Sequence, residues 1–313
     1  MGLRLSDLPR ELRTSASISG DPNVRITGFR QDSRRVEPGD LFAVRRGEKS
    51  DGAKHIAEAL KRGAVAVLAE RASGEIDAGA APVVFVDDLR VALAFGSAAV
   101  YGHPGFSLDV IGVTGTNGKT TVTHLVSDVV DVVDGCRSCA TIGTVGVGFH
   151  GAKAPLSHTT PEADDLARIL ARLRKDGASH VAMEVSSHAL SQGRVLAVRF
   201  HVAAFTNLTH DHLDFHRTME EYGAAKARLF HELAPATAVI NVDDPFGAKL
   251  ADGMSTPTLR VSVAPDRATK RADVSVRAWK QSALGIVAEV ETPSGPLTVR
   301  SPLAGAHNLF HGL

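Results

Sequence analysis

The chain has 313 residues, more than one ordinary hydrophobic core accommodates, so two domains are expected. A hydrophobic content of 43% with 22% charged residues is typical of a globular protein, and no apolar run is long enough to span a bilayer. Lys plus Arg balances Asp plus Glu at 35 each, so no overall field favours nucleic acid or an anionic membrane.

The first part of the chain, residues 1–104, is predicted to form an α/β domain. Short apolar runs separated by turn residues predict strands at 41–44, 65–68 and 83–86, and helices are predicted around 56–60 and at 91–100. A group of turn-forming residues at 101–105 then marks the predicted domain boundary.

A glycine-rich loop follows the apolar run 108–113 and precedes apolar residues at helical spacing. Such a loop gathers backbone N–H groups and the positive end of a helix dipole, which suits a polyphosphate. The pattern is the short Gly-x-x-Gly-Lys-Thr, because Val113 stands where the longer phosphate-loop pattern has glycine. We predict nucleotide phosphate binding here, with a purely structural turn as the alternative. The predicted residues are Gly115, Thr116, Asn117, Gly118, Lys119, Thr120 and Thr121.

The two cysteines, Cys136 and Cys139, form one Cys-x-x-Cys pair after this loop. A zinc site of this kind needs a second pair, and a redox pair needs a thioredoxin-like setting. Neither accompanies the pair, so we predict two reduced thiols and a cytoplasmic protein.

The second domain, residues 105–313, is predicted to hold a mostly parallel sheet with helices on both faces, because strands and helices alternate. Strands are predicted at 108–113, 181–185, 200–206 and 238–242, and helices at 166–173 and 219–233. Glu184, Asn207 and Asp243 stand at strand ends, where open parallel sheets bind ligands, so they are expected near the loop. Apolar alternation from residue 274 onward predicts an antiparallel edge ribbon.

Several residues of this domain can bind a metal. A carboxylate is costly to bury unpaired, so Glu184 is predicted to face magnesium, with an ion pair as the alternative. The segment 205–216 is rich in histidine and by itself suggests zinc, but a magnesium role for His212 beside Glu184 fits one site better. Lys226 lies four residues after Tyr222 on a predicted helix, where a lysine taken alone is ordinarily solvated.

Five motifs together resemble the Mur ligase family. They are residues 114–121, His158-Thr159-Thr160-Pro161, residues 183–190, residues 205–216 and Lys226. The first domain agrees, with Asp32-Ser33-Arg34, residues 39–42 and Asp51-Gly52 in the family's order. The resemblance covers essentially the whole chain and is greatest to the members that add a diamino acid in peptidoglycan synthesis.

The resemblance implies a UDP-precursor-binding α/β domain followed by a central parallel-sheet ATPase domain. ATP would phosphorylate the D-glutamate of UDP-N-acetylmuramoyl-L-alanyl-D-glutamate, and meso-diaminopimelate or L-lysine would attack the acyl phosphate. Catalytic roles fall on Lys119, Glu184, His212 and Lys226, and magnesium on Thr120, Glu184, His212 and a carbamylated Lys226. Precursor contacts are assigned to Gln31, Ser33, Glu48, Lys49, Ser50, His158, Thr159, Thr160, Ser186, Gln192 and Arg194. Arg194 is the natural bidentate partner for a glutamate carboxylate.

The sequence departs from the family pattern at three positions and at its end. His158 and His210 stand where asparagine and arginine are usual, and His311 replaces the last asparagine of a segment closing the central domain. From this end we expect the third domain of the family, which completes the ATP site and binds the incoming amino acid, to be missing from the chain. We therefore expect a monomer that does not complete the ligation alone, and the choice between diaminopimelate and lysine stays open.

Three hypotheses compete for the function. The first is a diamino-acid-adding ligase represented by its first two domains. The second is a non-catalytic remnant that holds the UDP precursor, against which the intact Lys119, Glu184, His212 and Lys226 argue. The third is a generic phosphate-loop ATPase or kinase, against which the first-domain motifs argue.

Overall fold

The computed structural model describes residues 2–45, 51–264, 272–303, 305 and 308. Their contacts divide the chain into two compact units. Unit 1 holds the described residues of 1–108, 161–177 and 192–198, and unit 2 holds the described residues of the remaining segments. Two pieces of the predicted second domain therefore pack within unit 1. A single cut at residue 104 remains a prediction about the domains.

Unit 1 is built on a five-stranded sheet of order β2-β7-β6-β5-β4, in which β2 is antiparallel to β7 and the other pairs are parallel. A separate antiparallel pair joins β1 and β3. The strands are β1 Leu3–Arg4, β2 Ala16–Ser19, β3 Arg25–Ile26, β4 Gly28–Arg30, β5 Asp40–Ala43, β6 Ala66–Glu70 and β7 Val83–Val86. The helices are α1 Ile56–Lys61, α2 Leu89–Val100 and, from later in the chain, α4 Ala163–Lys175.

The sheet of unit 1 is covered on both faces, because residues along its strands alternate between two hydrophobic clusters. Leu41 and Leu68 lie in the cluster that includes α2, whereas Phe42 and Val67 lie in the cluster that includes α1. Each of these side chains is at most 1% exposed. The near-continuous apolar runs of β5 and β6 follow from this double burial.

Unit 2 is built on an eleven-stranded sheet of order β11-β10-β9-β12-β8-β13-β14-β15-β16-β17-β18. The strands from β9 to β16 in this order are parallel, and antiparallel hairpins flank them on both sides. The strands are β8 Asp109–Thr114, β9 Cys139–Gly143, β10 Gly146–Phe149, β11 Ala152–Ala154, β12 His180–Glu184, β13 Phe200–Phe205, β14 Thr237–Asn241, β15 Thr258–Ser262, β16 Val274–Ser282, β17 Gly285–Thr292 and β18 Gly295–Ser301.

The helices of unit 2 connect its parallel strands along the chain. They are α3 Lys119–Asp134, α5 Ser187–Ser191, α6 Leu213–His216, α7 Met219–His231 and α8 Pro245–Asp252. The central strand β8 pairs with β12 on one side and β13 on the other. The chain thus crosses from one side of β8 to the other, and such a switch point opens a crevice at the carboxyl ends of the strands.

The predicted fold class is confirmed, including the parallel sheet and the antiparallel ribbon formed by β16, β17 and β18. The hairpin strands β9, β10 and β11 were not predicted from the sequence, and neither were α8 and β15. Cys136 is exposed and Cys139 is buried at the start of β9, and both are free thiols. Among the described residues, no helix is both long and apolar enough to cross a membrane.

Candidate active site

The glycine-rich loop lies between β8 and α3, as predicted. Gly118 is the N-cap residue of α3 and has a left-handed backbone (φ +85°), and no side chain caps the helix. The first N–H groups of α3 thus have no side-chain cap to compete with a phosphate. A side chain at Gly115 would place its Cβ 1.9 Å from Thr206 Oγ1, so glycine is required where the loop passes β13.

Two lysines point their amines at the same carbonyl of this loop. Lys119 Nζ donates to Gly115 O at 3.0 Å and to Thr116 O at 2.8 Å, and Lys226 Nζ donates to Gly115 O at 2.8 Å. Burial lowers the pKa of Lys119, and burial together with the nearby Lys119 lowers the pKa of Lys226 to about 6. Two adjacent amines in one buried site suit an anionic ligand.

Lys226 is 1% exposed, so the solvated-lysine alternative is wrong. Its amine lies 4.3 Å from the ring centroid of Tyr222, one turn earlier on α7. The Tyr222 hydroxyl lies 3.3 Å from Thr116 Oγ1, which ties α7 to the loop. Helical spacing could have indicated this burial, since Tyr222, Lys226 and Phe230 fall on one face and the two aromatic residues are 1% exposed.

Glu184 ends β12 and is 1% exposed. Its Oε1 accepts hydrogen bonds of 2.8 Å from Thr120 Oγ1 and from the Thr144 backbone N–H, and its Oε2 accepts one of 3.3 Å from Thr144 Oγ1. Within the described chain Glu184 is held by hydrogen bonds rather than by an ion pair. A Cβ on Gly143 would lie 2.2 Å from Glu184 Oε1, so the carboxylate passes directly over this glycine.

Asn207 also contacts the loop, because its Oδ1 accepts a hydrogen bond of 3.0 Å from the Asn117 N–H. Asp243, the third polar strand end, instead accepts hydrogen bonds from Ser262 Oγ and the Val263 N–H. Position at a strand end therefore identified two residues, Glu184 and Asn207, that bond to the segment 115–121, whereas Asp243 bonds to residues that follow β15 or end it.

His212 lines the same cavity as Lys226 and Glu184 and has a strained left-handed backbone conformation, with φ +52°. Its ring centroid lies 5.0 Å from that of His188 and 6.1 Å from that of Tyr222. His216 is buried, and its Nε2 lies 2.8 Å from Ser187 Oγ. Burial lowers the pKa of His216 to about 4, and the nearby His188 and Lys226 add to the effect, so this imidazole is neutral.

One cavity of about 380 Å³ within unit 2 is lined by the loop, the two lysines, Glu184 and His212. Its lining residues are Thr116, Asn117, Gly118, Lys119, Thr120, Thr121, Thr144, Thr159, Glu184, Ser186, Ser187, His212, Tyr222 and Lys226. The cavity thus brings together the four predicted catalytic residues, most of the predicted loop residues and two predicted precursor contacts. Thr144, Ser187 and Tyr222 were not predicted to line it.

Thr160 connects the predicted precursor loop to this cavity. Its Oγ1 donates to Glu184 O at 2.9 Å and accepts from the Ser186 N–H at 3.0 Å. Thr159 Oγ1 lies 3.2 Å from Thr144 Oγ1. His158 and His210 are exposed.

The predicted precursor contacts in unit 1 line two other cavities. Gln31 and Ser33 line one of about 400 Å³, where Ser33 Oγ donates to Glu58 Oε2 at 2.8 Å. Gln192 and Arg194 line another of about 250 Å³. Glu48, Lys49 and Ser50 lie outside the described residues, and so does His311.

The donor chemistry of the unit 2 cavity suits magnesium better than zinc. Thr120 and Glu184 present a hydroxyl and a carboxylate, the hard oxygen ligands that Mg²⁺ prefers together with phosphate and water. Across the ranges that the structure describes, no three His, Cys, Asp or Glu residues form a cluster able to hold a metal by themselves. A cation here would therefore depend on oxygen atoms of a bound nucleotide.

Two protein-family profiles match the sequence of this chain. The profile of the Mur ligase middle domain matches residues 113–310, and that of the Mur ligase family catalytic domain matches residues 25–101. The chain belongs to the Mur ligase family. The predicted family is thus confirmed, and the cavity lies in the part matched by the Mur ligase middle domain.

Known Mur ligases align with nearly the whole chain. The UDP-N-acetylmuramoyl-L-alanyl-D-glutamate–2,6-diaminopimelate ligase of Geobacter metallireducens is 42% identical over 99% of this chain and 60% of its own length. The ligase of the same name from Pseudomonas aeruginosa is 45% identical over 89% of this chain and 56% of its own length. The chain therefore spans about 60% of the length of these relatives.

Solved Mur ligase structures share the fold. A structure of a UDP-N-acetylmuramoyl-L-alanyl-D-glutamate–2,6-diaminopimelate ligase superposes with a TM-score of 0.83 at 30% identity, covering 100% of this chain and 62% of that one. MurF from Acinetobacter baumannii superposes with a TM-score of 0.70 at 22% identity, covering 99% of this chain and 63% of that one, which supports the fold alone.

Proposed function

We propose that the chain carries the nucleotide-binding and precursor-binding parts of an ATP-dependent amide ligase of peptidoglycan synthesis. The ligase would join a diamino acid to UDP-N-acetylmuramoyl-L-alanyl-D-glutamate. The observation that carries the proposal is the grouping of the half-buried Lys119 with the buried Lys226 and Glu184 around one glycine-rich loop. The relatives named for diaminopimelate favour that amino acid over L-lysine.

The proposed reaction has two steps. The γ-phosphoryl group passes from ATP to a carboxylate oxygen of the precursor's D-glutamate, and ADP leaves. The amine of the diamino acid then attacks the acyl carbon, phosphate leaves, and the amine loses a proton to give the amide. Lys119 lies at the loop and would neutralise charge on the transferring group, while the N–H groups of α3 would hold the phosphates.

Magnesium, when bound, would neutralise phosphate charge and hold the nucleotide in a reactive orientation. Thr120 and Glu184 would hold it, because their oxygen atoms already lie together at 2.8 Å, and His212 lines the same cavity. Thr144 keeps the Glu184 carboxylate in place through two hydrogen bonds. The chain thus supplies an ordered oxygen pair facing the phosphate loop.

Lys226 is proposed to react with carbon dioxide. Burial holds its pKa at about 6, so the amine is mostly neutral at pH 7.5 and has the lone pair that the reaction needs. The amine nitrogen bonds to the carbon of carbon dioxide and releases a proton, which yields a carbamate anion. Such an anion would replace a buried amine by an oxygen ligand beside Lys119 and the magnesium position.

The proposal assigns contacts with the UDP precursor residue by residue. Gln31 and Ser33 would contact its uridine end, together with Glu48, Lys49 and Ser50. Its peptide end would meet His158, Thr159, Thr160, Ser186, Gln192 and Arg194. A monomeric state and a cytoplasmic location belong to the same proposal.

The first test is phosphate release from ATP by the purified chain with magnesium and UDP-N-acetylmuramoyl-L-alanyl-D-glutamate. The assay is run with diaminopimelate, with L-lysine and with neither, and Lys119→Ala serves as the inactive control. Release that depends on one amino acid would support the ligase and identify its substrate. Calorimetric titration with the precursor is run in parallel.

The two assays together separate the hypotheses. Binding of the precursor without phosphate release would favour the non-catalytic role for this chain. Phosphate release without any binding of the precursor would contradict the ligase and favour a generic phosphate-loop ATPase.

A further inference from the structure

One carboxylate of unit 1 contacts side chains from three other segments of the chain. Glu162 Oε1 lies 2.6 Å from Arg194 Nη2, and Glu162 Oε2 accepts a hydrogen bond of 3.1 Å from Gln31 Nε2. Arg45 Nη1 lies 3.6 Å from the same Oε2. Gln31 and Arg194 are both proposed precursor contacts, yet Glu162 has no assigned role.

The position of Glu162 in its helix indicates that these contacts matter. Glu162 is the N-cap residue of α4, but its side chain makes no capping hydrogen bond. Short side chains such as Ser, Thr, Asp or Asn are preferred there, and such a cap stabilises a helix by about 1 kcal/mol. The longer glutamate forgoes this stabilisation and reaches Gln31 and Arg194 instead.

Glu162 also holds two like charges together. Arg45 and Arg194 line the same cavity and approach the same carboxylate, and without it their charges would repel. Arg194 is further fixed by Gln192 Oε1, which accepts hydrogen bonds from its Nε at 3.0 Å and its Nη2 at 2.7 Å. The guanidinium is thus oriented from two sides, and its side chain is only 11% exposed.

We propose that Glu162 is a positioning residue for the UDP precursor, which holds Gln31 and Arg194 in their binding orientations and lets Arg45 lie beside Arg194. This inference rests on the proposed function, in which Gln31 and Arg194 contact the precursor. A guanidinium that is already oriented loses less conformational entropy when it binds a carboxylate, so the ordering favours affinity.

The test is calorimetric titration of the full chain and its variants with UDP-N-acetylmuramoyl-L-alanyl-D-glutamate. Glu162→Ala removes the side-chain contacts of Glu162 but leaves the hydrogen bonds from Gln31 to Asp164 in place. Glu162→Gln keeps the size and an acceptor oxygen but removes the charge. The matched control is Asp165→Asn, because Asp165 lies in the same first turn of α4 but pairs with Arg30 at 2.9 Å and Arg35 at 2.5 Å. ADP with magnesium is titrated in parallel, since its proposed site is in unit 2.

We expect Glu162→Ala to weaken precursor binding about tenfold, which equals about 1.4 kcal/mol, and Glu162→Gln to weaken it by less. Asp165→Asn should lower the melting temperature while changing precursor affinity by less than about twofold, and ADP affinity should be unchanged in all variants.

Unchanged or tighter precursor binding by Glu162→Ala would overturn the inference, and tighter binding would mean that Glu162 competes with the precursor for Arg194. An equal loss of affinity in Asp165→Asn would also overturn it, since any disturbance of the helix start would then suffice. No precursor binding by the wild-type chain would instead overturn the proposed function on which the inference rests.

Discussion

Replacing Lys226 by methionine tests the state of the buried amine. In the folded protein burial holds the pKa of Lys226 at about 6, whereas the unfolded chain has the ordinary value of 10.5. The unfolded state therefore binds one more proton between these two values. Burial of Lys226 therefore lowers the free energy of unfolding by its largest amount below pH 6, and this loss of stability shrinks as the pH rises toward 10.5.

The size of the effect follows from that pKa shift. Each pH unit within this range changes the free energy of unfolding by about 1.4 kcal/mol, which gives a penalty of about 5 kcal/mol at pH 7 and about 2 kcal/mol at pH 9. Methionine fills the space but loses the hydrogen bond to Gly115 O, worth about 1 kcal/mol, and the weak contact of the neutral amine with the Tyr222 ring. We expect Lys226→Met to be more stable than wild type by about 3 kcal/mol at pH 7, and by less than about 1 kcal/mol at pH 9.

The assay is denaturant unfolding between pH 6.5 and pH 9.5 in buffers free of carbon dioxide. Fluorescence of Trp279, the one tryptophan of the sequence, reports on unit 2 because this residue lies on β16. Lys249→Met is the control, since Lys249 is an exposed helix lysine of the same unit. A stability difference between Lys226→Met and wild type that does not vary with pH would refute the argument that the amine is neutral when buried.

Three further predictions concern the same groups and the start of α4. Gly143→Ala should abolish measurable magnesium-dependent ADP binding, because the new Cβ would lie 2.2 Å from Glu184 Oε1 and displace the carboxylate. Calorimetric titration of the variant with ADP, with and without magnesium, measures this binding. An ADP affinity equal to that of the wild type would contradict the prediction. Incubation with ¹³C-bicarbonate should give a carbamate carbon signal in NMR that is absent from Lys226→Met; a signal that persists in the variant would assign the carbamate elsewhere. Asp164→Asn should raise the free energy of unfolding by about 2 kcal/mol at pH 8 and by less than about 1 kcal/mol at pH 5, because about 1 kcal/mol is lost with the hydrogen bond from Gln31 that an amide nitrogen cannot accept. The reason is that burial, with the nearby Asp165, raises the pKa of Asp164 to about 6, so the ionised carboxylate destabilises the folded state above that pH. Denaturant unfolding of the variant and the wild type at both pH values measures the difference in stability. An equal difference at both pH values would contradict the prediction.

The sequence predicted the elements that carry a strong local signal. The loop between β8 and α3, the alternating strands and helices, and the edge ribbon all have patterns that local physical rules recognise. The position of Glu184 at the end of a buried strand was enough to place it beside the loop, because parallel strands bring their carboxyl ends to one edge.

Other features depend on contacts that no local pattern encodes. The hairpin of β9 and β10 turns at residues 143–146. Its Gly143 leaves room for the Glu184 carboxylate and does not belong to a turn motif that the sequence alone would reveal. The proposed role of Glu162 could not be inferred from the sequence, because Gln31, Arg45 and Arg194 are far apart in the chain and meet at Glu162 only in the fold. The grouping of α4 with unit 1 likewise arises from tertiary packing rather than from sequence order.

The strand order of unit 2 also determines when the proposed nucleotide site can assemble during synthesis. Strand β8 carries the phosphate loop, but its two neighbours, β12 and β13, are made much later in the chain. Until Asn207 has left the ribosome, the loop lacks the hydrogen bond that this residue accepts from Asn117, and before Phe205 has emerged β8 lacks the complete β13. Such long-range parallel pairing is slow, because the intervening loops must close before the contacts form. A nascent chain therefore contains the whole glycine-rich loop well before it has the neighbouring strands that hold this loop in place.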